Sequence, residues 1–216
     1  ISLPVLQYKF VSDLLYGIVN DAREIKNKME LFGVSFKICV LLIIEIDGYH
    51  EIKEKYTQEQ LVYYHLQIED ILKDIIKENA LKVLIFYHDE RLVTIPYLDS
   101  DNTDLKEFEK IIDDTANKLA AYVRNSMPFT VSIGVSSICN DILHVRACYH
   151  EAQDSLQNKF YIGGDFIFHY TKMEEFINHF PPALKISDRY LDAVKEGDEK
   201  RVEKELDFMM QSLKNI

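Results

Sequence analysis

The 216-residue chain contains no tryptophan, seven glycines, five prolines and three cysteines. So few glycines and prolines exclude collagen-like and low-complexity architectures and leave long stretches free to form regular elements. Cys39, Cys139 and Cys148 are an odd count without a C-x-x-C pair, so neither a disulfide framework nor a zinc site is expected, and a reducing, cytoplasmic setting is the simplest one. The longest apolar run, Ile38 to Ile44, ends at Glu45, far short of the roughly 18 residues that suggest a membrane span. Basic residues number 25 against 36 acidic ones, and a formal charge of −11 repels the phosphates of DNA. A P-loop, a G-x-G-x-x-G turn, a G-x-S-x-G elbow and a metal-type histidine spacing are all missing, which leaves kinase, hydrolase and histidine-metal chemistry without support.

What is present is apolar and periodic, 47% hydrophobic, and this excludes disorder as the main state. Leu6, Phe10, Leu14, Ile18 and Ile25 recur at helical steps and predict one helix from Pro4 to Leu31, stopped by Gly33. Phe36 to Ile46 reads as a central strand that leaves at Asp47-Gly48. Thr57 and Gln60 form a capping box for a helix that runs to Asn79. Lys82 to Phe86 and Leu92 to Tyr97 read as a hairpin about the polar residues 87–91. A loop, Leu98 to Thr103, leads to a helix from Leu105 to Val123, closed by Pro128, and then to a strand from Phe129 to Ser136. A helix from Ile142 to Phe160, a Gly163-Gly164 turn and the strand Phe166 to Phe168 follow. Beyond Tyr170, the residues Met173, Phe176, Ile177, Leu184, Ile186, Tyr190, Leu191 and Val194 are helically spaced. Gly197-Asp198 separates them from a last helix with the stripe Val202, Leu206, Met209 and Leu213.

The resulting order, β-α-β-β-α-β and then α-β, is shared by ferredoxin-like domains, nucleotide cyclases and polymerase palms. In the last two, metal carboxylates sit at the end of the first strand and on the central hairpin. Those places hold Glu45 with Asp47, and Asp89 with Glu90. Facing carboxylates there can bind Mg²⁺ and neutralise a triphosphate. The plainer readings are solvated turn residues at Asp89 and Glu90, and a salt bridge or exposure for Glu45, since a buried carboxylate needs a partner. Gly163-Gly164-Asp165-Phe166 follows a helix and lacks a glutamate, so it reads as a helix-to-strand turn.

From about Phe36 to Tyr170 the chain resembles the GGDEF family, the diguanylate cyclases. Ile44-Glu45-Ile46-Asp47-Gly48-Tyr49 is similar to the family's first-strand D-x-D-x-F segment, and Tyr87 to Pro96 to its signature hairpin and following strand. Thr130-Val131-Ser132-Ile133-Gly134-Val135 is close to its T-x-S-I-G-V strand, and Ala152 to Leu156 stands where an A-D-x-A-L helix is expected. The departures bear on chemistry. Tyr87 and His88 replace two glycines that let the nucleotide approach, so their rings are expected to fill that space. Glu45 replaces an Asp, Lys53 stands at the base-reading Asn, and the inhibitory R-x-x-D is missing from Glu78 to Lys82. The resemblance therefore implies a degenerate domain without catalytic residues, cofactor or metal, with Glu45, Asp47, Tyr87, His88, Asp89 and Glu90 as a remnant metal or nucleotide site.

Nearly the whole chain also resembles the middle region of YesN-type regulators of the AraC family. The similarity lies in Phe10 to Gly17, Leu31 to Val34, Ser132 to Ser136, Tyr149 to Ala152, Phe160 to Gly164 and Val194 to Asp198. It implies an α/β fold with a degenerate GGDEF-like core, its central sheet mostly antiparallel and flanked by helices. The expected divisions are an N-terminal coupling helix over 1–32, the GGDEF-like domain over 33–170 and a helical segment over 171–216. The chain reads as a piece of a longer transcription factor, with a receiver or membrane sensor upstream and two helix-turn-helix units downstream that alone would touch DNA. Leu6, Phe10 and Leu14, with Val202, Leu206, Met209 and Leu213, are expected to dock between modules or between the protomers of a homodimer. The other expectation is a sensor in which Glu45, Asp47, Asp89 and Glu90 hold a metal and nucleotide, or a pocket near Tyr87 and His88 holds another small molecule.

Overall fold

A computed structural model describes residues 3–34, 37–88, 90–99, 104–173 and 188–214. Asp89, residues 100–103, Phe176, Ile177, Leu184 and Ile186 lie outside them, as do the side chains of Met209 and Leu213. The chain divides into two units, Ile1–Thr171 and Lys172–Ile216.

In the first unit a mostly antiparallel sheet is flanked by helices, so the fold class is α/β. Its elements are α1 (Leu3–Leu15), α2 (Ala22–Phe32), β1 (Ile38–Cys39), β2 (Leu42–Ile46), α3 (Tyr49–Lys55), α4 (Gln58–Glu78), β3 (Lys82–His88), β4 (Arg91–Leu98), α5 (Leu105–Ser126), β5 (Val131–Val135), α6 (Val145–Gln157), α7 (Lys159–Ile162) and β6 (Ile167–His169). β1 and β2 pair with β4 in one continuous register, Ile38 opposite Leu98 and Glu45 opposite Arg91. β3 pairs with the other edge of β4, while β2 continues to β5 and β5 to β6, the last pair alone being parallel. On the β5 side Cys39 faces Cys139 and Leu42 faces Val135, so three residues, 136–138, oppose Val40 and Leu41 in a bulge. The Ser136 hydroxyl accepts from the Leu41 amide at 2.9 Å and closes it.

Alternation along β2 builds two cores. Leu42, Ile44 and Ile46 face one side with Leu72, Phe108 and Leu119, under α4 and α5. Leu41 and Ile43 face the other with Phe10, Leu14, Val145 and Ala152, under α1, α2 and α6. Full burial of each such side chain stabilises the fold by about 1.5–3 kcal/mol. α6 lies so close to β5 that a Cβ on Gly134 would stand 2.2 Å from the Ala152 carbonyl oxygen, a spacing only glycine permits.

The helix expected over Pro4 to Leu31 is two helices. Gly17, at φ +68°, turns the chain, and Asp21 caps α2 by accepting from the Arg23 and Glu24 amides. Phe10 and Leu14 are buried against this unit's own sheet, and Leu6 packs beside them, so that stripe meets the domain itself instead of a free surface. The Thr57–Gln60 capping box of α4 is present. α3 was not expected. The helix expected from Ile142 to Phe160 is interrupted at Asn158, between α6 and α7, which brings Lys159 to the start of a new turn.

The second unit contains α8 (Asp188–Glu196) and α9 (Glu199–Lys214). Gly197, at φ +69°, ends α8, and Asp198 caps α9 by accepting from the Arg201 amide. Ala193 is fully buried, Val202 is half-buried and Leu206 is 42% exposed.

Candidate functional site

Glu45 shares its face of β2 with Ile43, the side covered by α6 and α7. A carboxylate half-buried there needs partners to offset its lost hydration. It has two: Arg91, directly opposite on β4, donates Nε to Oε2 at 2.7 Å, and Lys159 donates Nζ to Oε1 at 2.8 Å. Asp47, just past the end of β2, takes the same ammonium on Oδ1 at 2.8 Å. The Ser132 hydroxyl donates to Oδ1 and the Thr130 hydroxyl to Oδ2, both at 2.7 Å, and the Asp165 amide donates to Oδ2 at 2.7 Å. Gly164 closes over this carboxylate, since a Cβ there would lie 2.5 Å from Asp47 Cγ.

The cluster is neutral, with two carboxylates against two cations. Burial pushes the Glu45 carboxyl up, but the hydrogen bond and charge of Lys159, with Arg91, outweigh it and hold Glu45 below the ordinary carboxylate range. Asp47 behaves likewise: burial raises it, while Lys159, Ser132, Thr130 and the Asp165 amide outweigh that and hold it below the ordinary range. Burial alone would lower the Lys159 ammonium, and its bonds to Asp47 and Glu45 raise it instead. All three groups are therefore held ionised and mutually satisfied. Such an arrangement ties β2 to β4, to the Thr130–Ser132 stretch, to α7 and to the 164–165 turn, and leaves little free charge for a ligand.

The structure brings together only part of the remnant site. Glu90 pairs with Lys53 of α3, which lies 4.9 Å above the Tyr49 ring, and not with Glu45 or Asp47. Tyr87 and His88 do not fill one space. As neighbours on a strand they point to opposite faces. The Tyr87 ring packs 5.4 Å from His65 of α4, and its hydroxyl donates to the His65 carbonyl at 2.9 Å. Burial and the nearby Glu69 carboxylate raise the Tyr87 phenol, so it stays protonated. The His88 ring packs 5.0 Å from Tyr16, at the end of α1, and its Nδ1 is hydrogen-bonded to the Tyr16 hydroxyl. Tyr8 of α1 donates to the Tyr87 carbonyl at 3.1 Å and sets its ring edge-on to Phe86. The hairpin is thus gripped by α4 on one face and α1 on the other.

A cleft of about 670 Å³ opens beside the hairpin, lined by Tyr49, Lys53, Val62, His65, Leu66 and Tyr87 among others. Val62 and Leu66, one helical turn apart, are half exposed along it. Burial lowers the His65 imidazole more than the nearby Glu90 charge raises it, so the ring facing this cleft is held neutral at physiological pH.

Arg91, Thr130, Ser132, Lys159 and the 164–165 turn were missed as parts of the cluster. One signal was available: Thr130 and Ser132, two apart on a strand, present two hydroxyls on one face. Nothing local marks Lys159, which is brought in by the break at Asn158.

A sheet covered by helices on both faces, with this strand order and paired carboxylates ending its central strand, defines the class, and the GGDEF-like domain family model matches residues 17–157. The chain belongs to that family. It is 25% identical over 96% of its length to the uncharacterized HTH-type transcriptional regulator YtdP of Bacillus subtilis (strain 168), of which it spans 27%. Among solved structures it is similar to the active GGEEF domain of a diguanylate cyclase from Vibrio cholerae, at 12% identity and TM-score 0.44 over 67% of this chain and 88% of that one. It is also similar to the FimX GGDEF domain from Pseudomonas aeruginosa, at 15% identity and TM-score 0.45 over 61% of this chain and 80% of that one. No described helix is long and apolar enough to cross a membrane.

Proposed function

We propose that this chain is a non-catalytic regulatory domain of an AraC-type transcriptional regulator, coupling a module that precedes it, a receiver or a sensor, to helix-turn-helix units that follow it. The observation that carries the reading is the double grip on the β3–β4 hairpin. Tyr87 and His88, where the diguanylate cyclases have glycines, serve as structural links from the sheet to α4 and to α1. A change in the seating of α1 reaches the hairpin directly through Tyr8 and Tyr16. The relation to an HTH-type regulator supplies the context. In a homodimer, α9 and its Leu206 offer the apolar stripe for a second copy.

A second reading is favoured by the cleft: a small molecule seated against Tyr49, His65 and Tyr87 would bias the same hairpin from the α4 side. A transcriptional reporter driven by the full-length regulator tests the coupling. Tyr16→Phe and His88→Ala are expected to change induced output while leaving the amount of protein unchanged. Unchanged induction in both variants would refute the coupling.

A further inference from the structure

The resemblance to diguanylate cyclases implies a divalent cation between the carboxylates that end the first strand, and the residues present do not fit one. A carboxylate accepts along about four lone-pair directions, and those of Asp47 are all taken. Ser132 and Lys159 occupy Oδ1, and Thr130 with the Asp165 amide occupies Oδ2. Glu45 gives one oxygen to Lys159 and the other to Arg91. Mg²⁺ requires six near-octahedral ligands at about 2.0–2.1 Å, several of them water, and Ca²⁺ six to eight oxygens at about 2.3–2.6 Å. An ion bridging the two would have to displace the Lys159 ammonium, which already stands 2.8 Å from one oxygen of each carboxylate. Gly164 closes another side. The charge account closes as well: Lys159 and Arg91 together supply the two positive charges that one divalent ion would bring.

We infer that Lys159 is a tethered cation standing where a divalent metal would, so that this domain closes its carboxylate site with its own side chain and needs no metal to do so. The same ammonium joins the end of β2 to the start of α7, and Asp47 in turn holds the 163–165 turn through the Asp165 amide. A soluble ion can be withdrawn by a chelator or exchanged. A lysine can be removed only by mutation or by modification of its amine. The inference stands independently of the regulatory reading, since a domain that bound a metal and made no product would still be regulatory.

The test is titration of Mn²⁺ followed by the electron paramagnetic resonance of the free ion. Wild type is expected to leave the free-ion signal unchanged, apart from weak uptake that persists in Asp47→Asn. Folded Lys159→Met, confirmed by circular dichroism, is expected to deplete the signal by one equivalent, and Lys159→Met with Asp47→Asn to restore it. Depletion by wild type that Asp47→Asn abolishes would overturn the inference, and so would a folded Lys159→Met that takes up no Mn²⁺. If Lys159→Met does not fold, paramagnetic broadening in wild type decides. Selective loss of the Asp165 amide signal on adding Mn²⁺ contradicts the inference, and its persistence supports it.

Discussion

Gly164 sits against Asp47 so closely that a β-carbon at position 164 would fall 2.5 Å from the carboxylate carbon. The contact cannot relax cheaply, because Asp47 is a short side chain fixed by four donors. Gly164→Ala should therefore displace the turn and break the Asp165 amide bond, destabilising the domain by about 1–3 kcal/mol. For a chain of this size that is a Tm lowered by about 2–4 °C per kcal/mol in calorimetry. In an Asp47→Ala background the same substitution should cost much less, and an undiminished cost would show that the two residues are not coupled.

Gly134 makes a second close approach, here backbone to backbone. With the Ala152 carbonyl oxygen 2.2 Å from any added β-carbon, Gly134→Ala must push α6 off β5. The expected loss is again about 1–3 kcal/mol or more, read from chemical denaturation with an unchanged m-value. Denaturation at the wild-type midpoint would contradict the packing.

Ser136 accepts from the buried Leu41 amide at the bulge. Ser136→Ala leaves that amide without its partner, which typically costs about 1–3 kcal/mol. Hydrogen exchange at Leu41 should accelerate more than at Ile43 or Ile44, and uniform acceleration would count against a local effect.

The ion cluster fixes how stability depends on pH. Glu45 and Asp47 have folded-state values below their ordinary 4.5 and 3.8, so their contribution is present above those values and is lost as pH falls through the depressed ones. Lys159 is raised above 10.5, so its contribution is complete below that value and is lost as pH rises through the raised one. Wild type should thus lose Tm on acidification below about pH 4. Lys159→Met, which leaves two half-buried carboxylates with Arg91 as their one cation, should lose less on acidification or gain. Parallel pH profiles for the two proteins would contradict the cluster.

Much of the fold was legible because its signals are local. The β2 run, the Thr57–Gln60 box, the hairpin limits and the T-x-S-I-G-V strand all appear near where pattern and turn chemistry put them. Two of the three departures in the helices had local causes. Periodicity carried one helix across Gly17 because apolar spacing continued on both sides, although Asp21 with Glu24 marks a fresh start. α3 was missed because seven residues, Tyr49–Lys55, hold too few apolar positions to show a period. The site was legible by half. Glu45 and Asp47 could be placed from the strand they end, but their cations come from elsewhere, Arg91 through β-register and Lys159 through the break at Asn158. Single-sequence patterns do not report such long-range pairings. Tyr87 and His88 were wrongly set into one space, an error that strand alternation alone could have prevented.

The central claim is that this chain keeps the family's fold without its chemistry, and the most direct measurement is incubation with GTP and Mg²⁺ or Mn²⁺ followed by mass spectrometric detection of cyclic di-GMP. No product above a protein-free control, with GTP unconsumed, is the predicted result. Product that scales with protein concentration and disappears in Glu45→Ala would contradict the account.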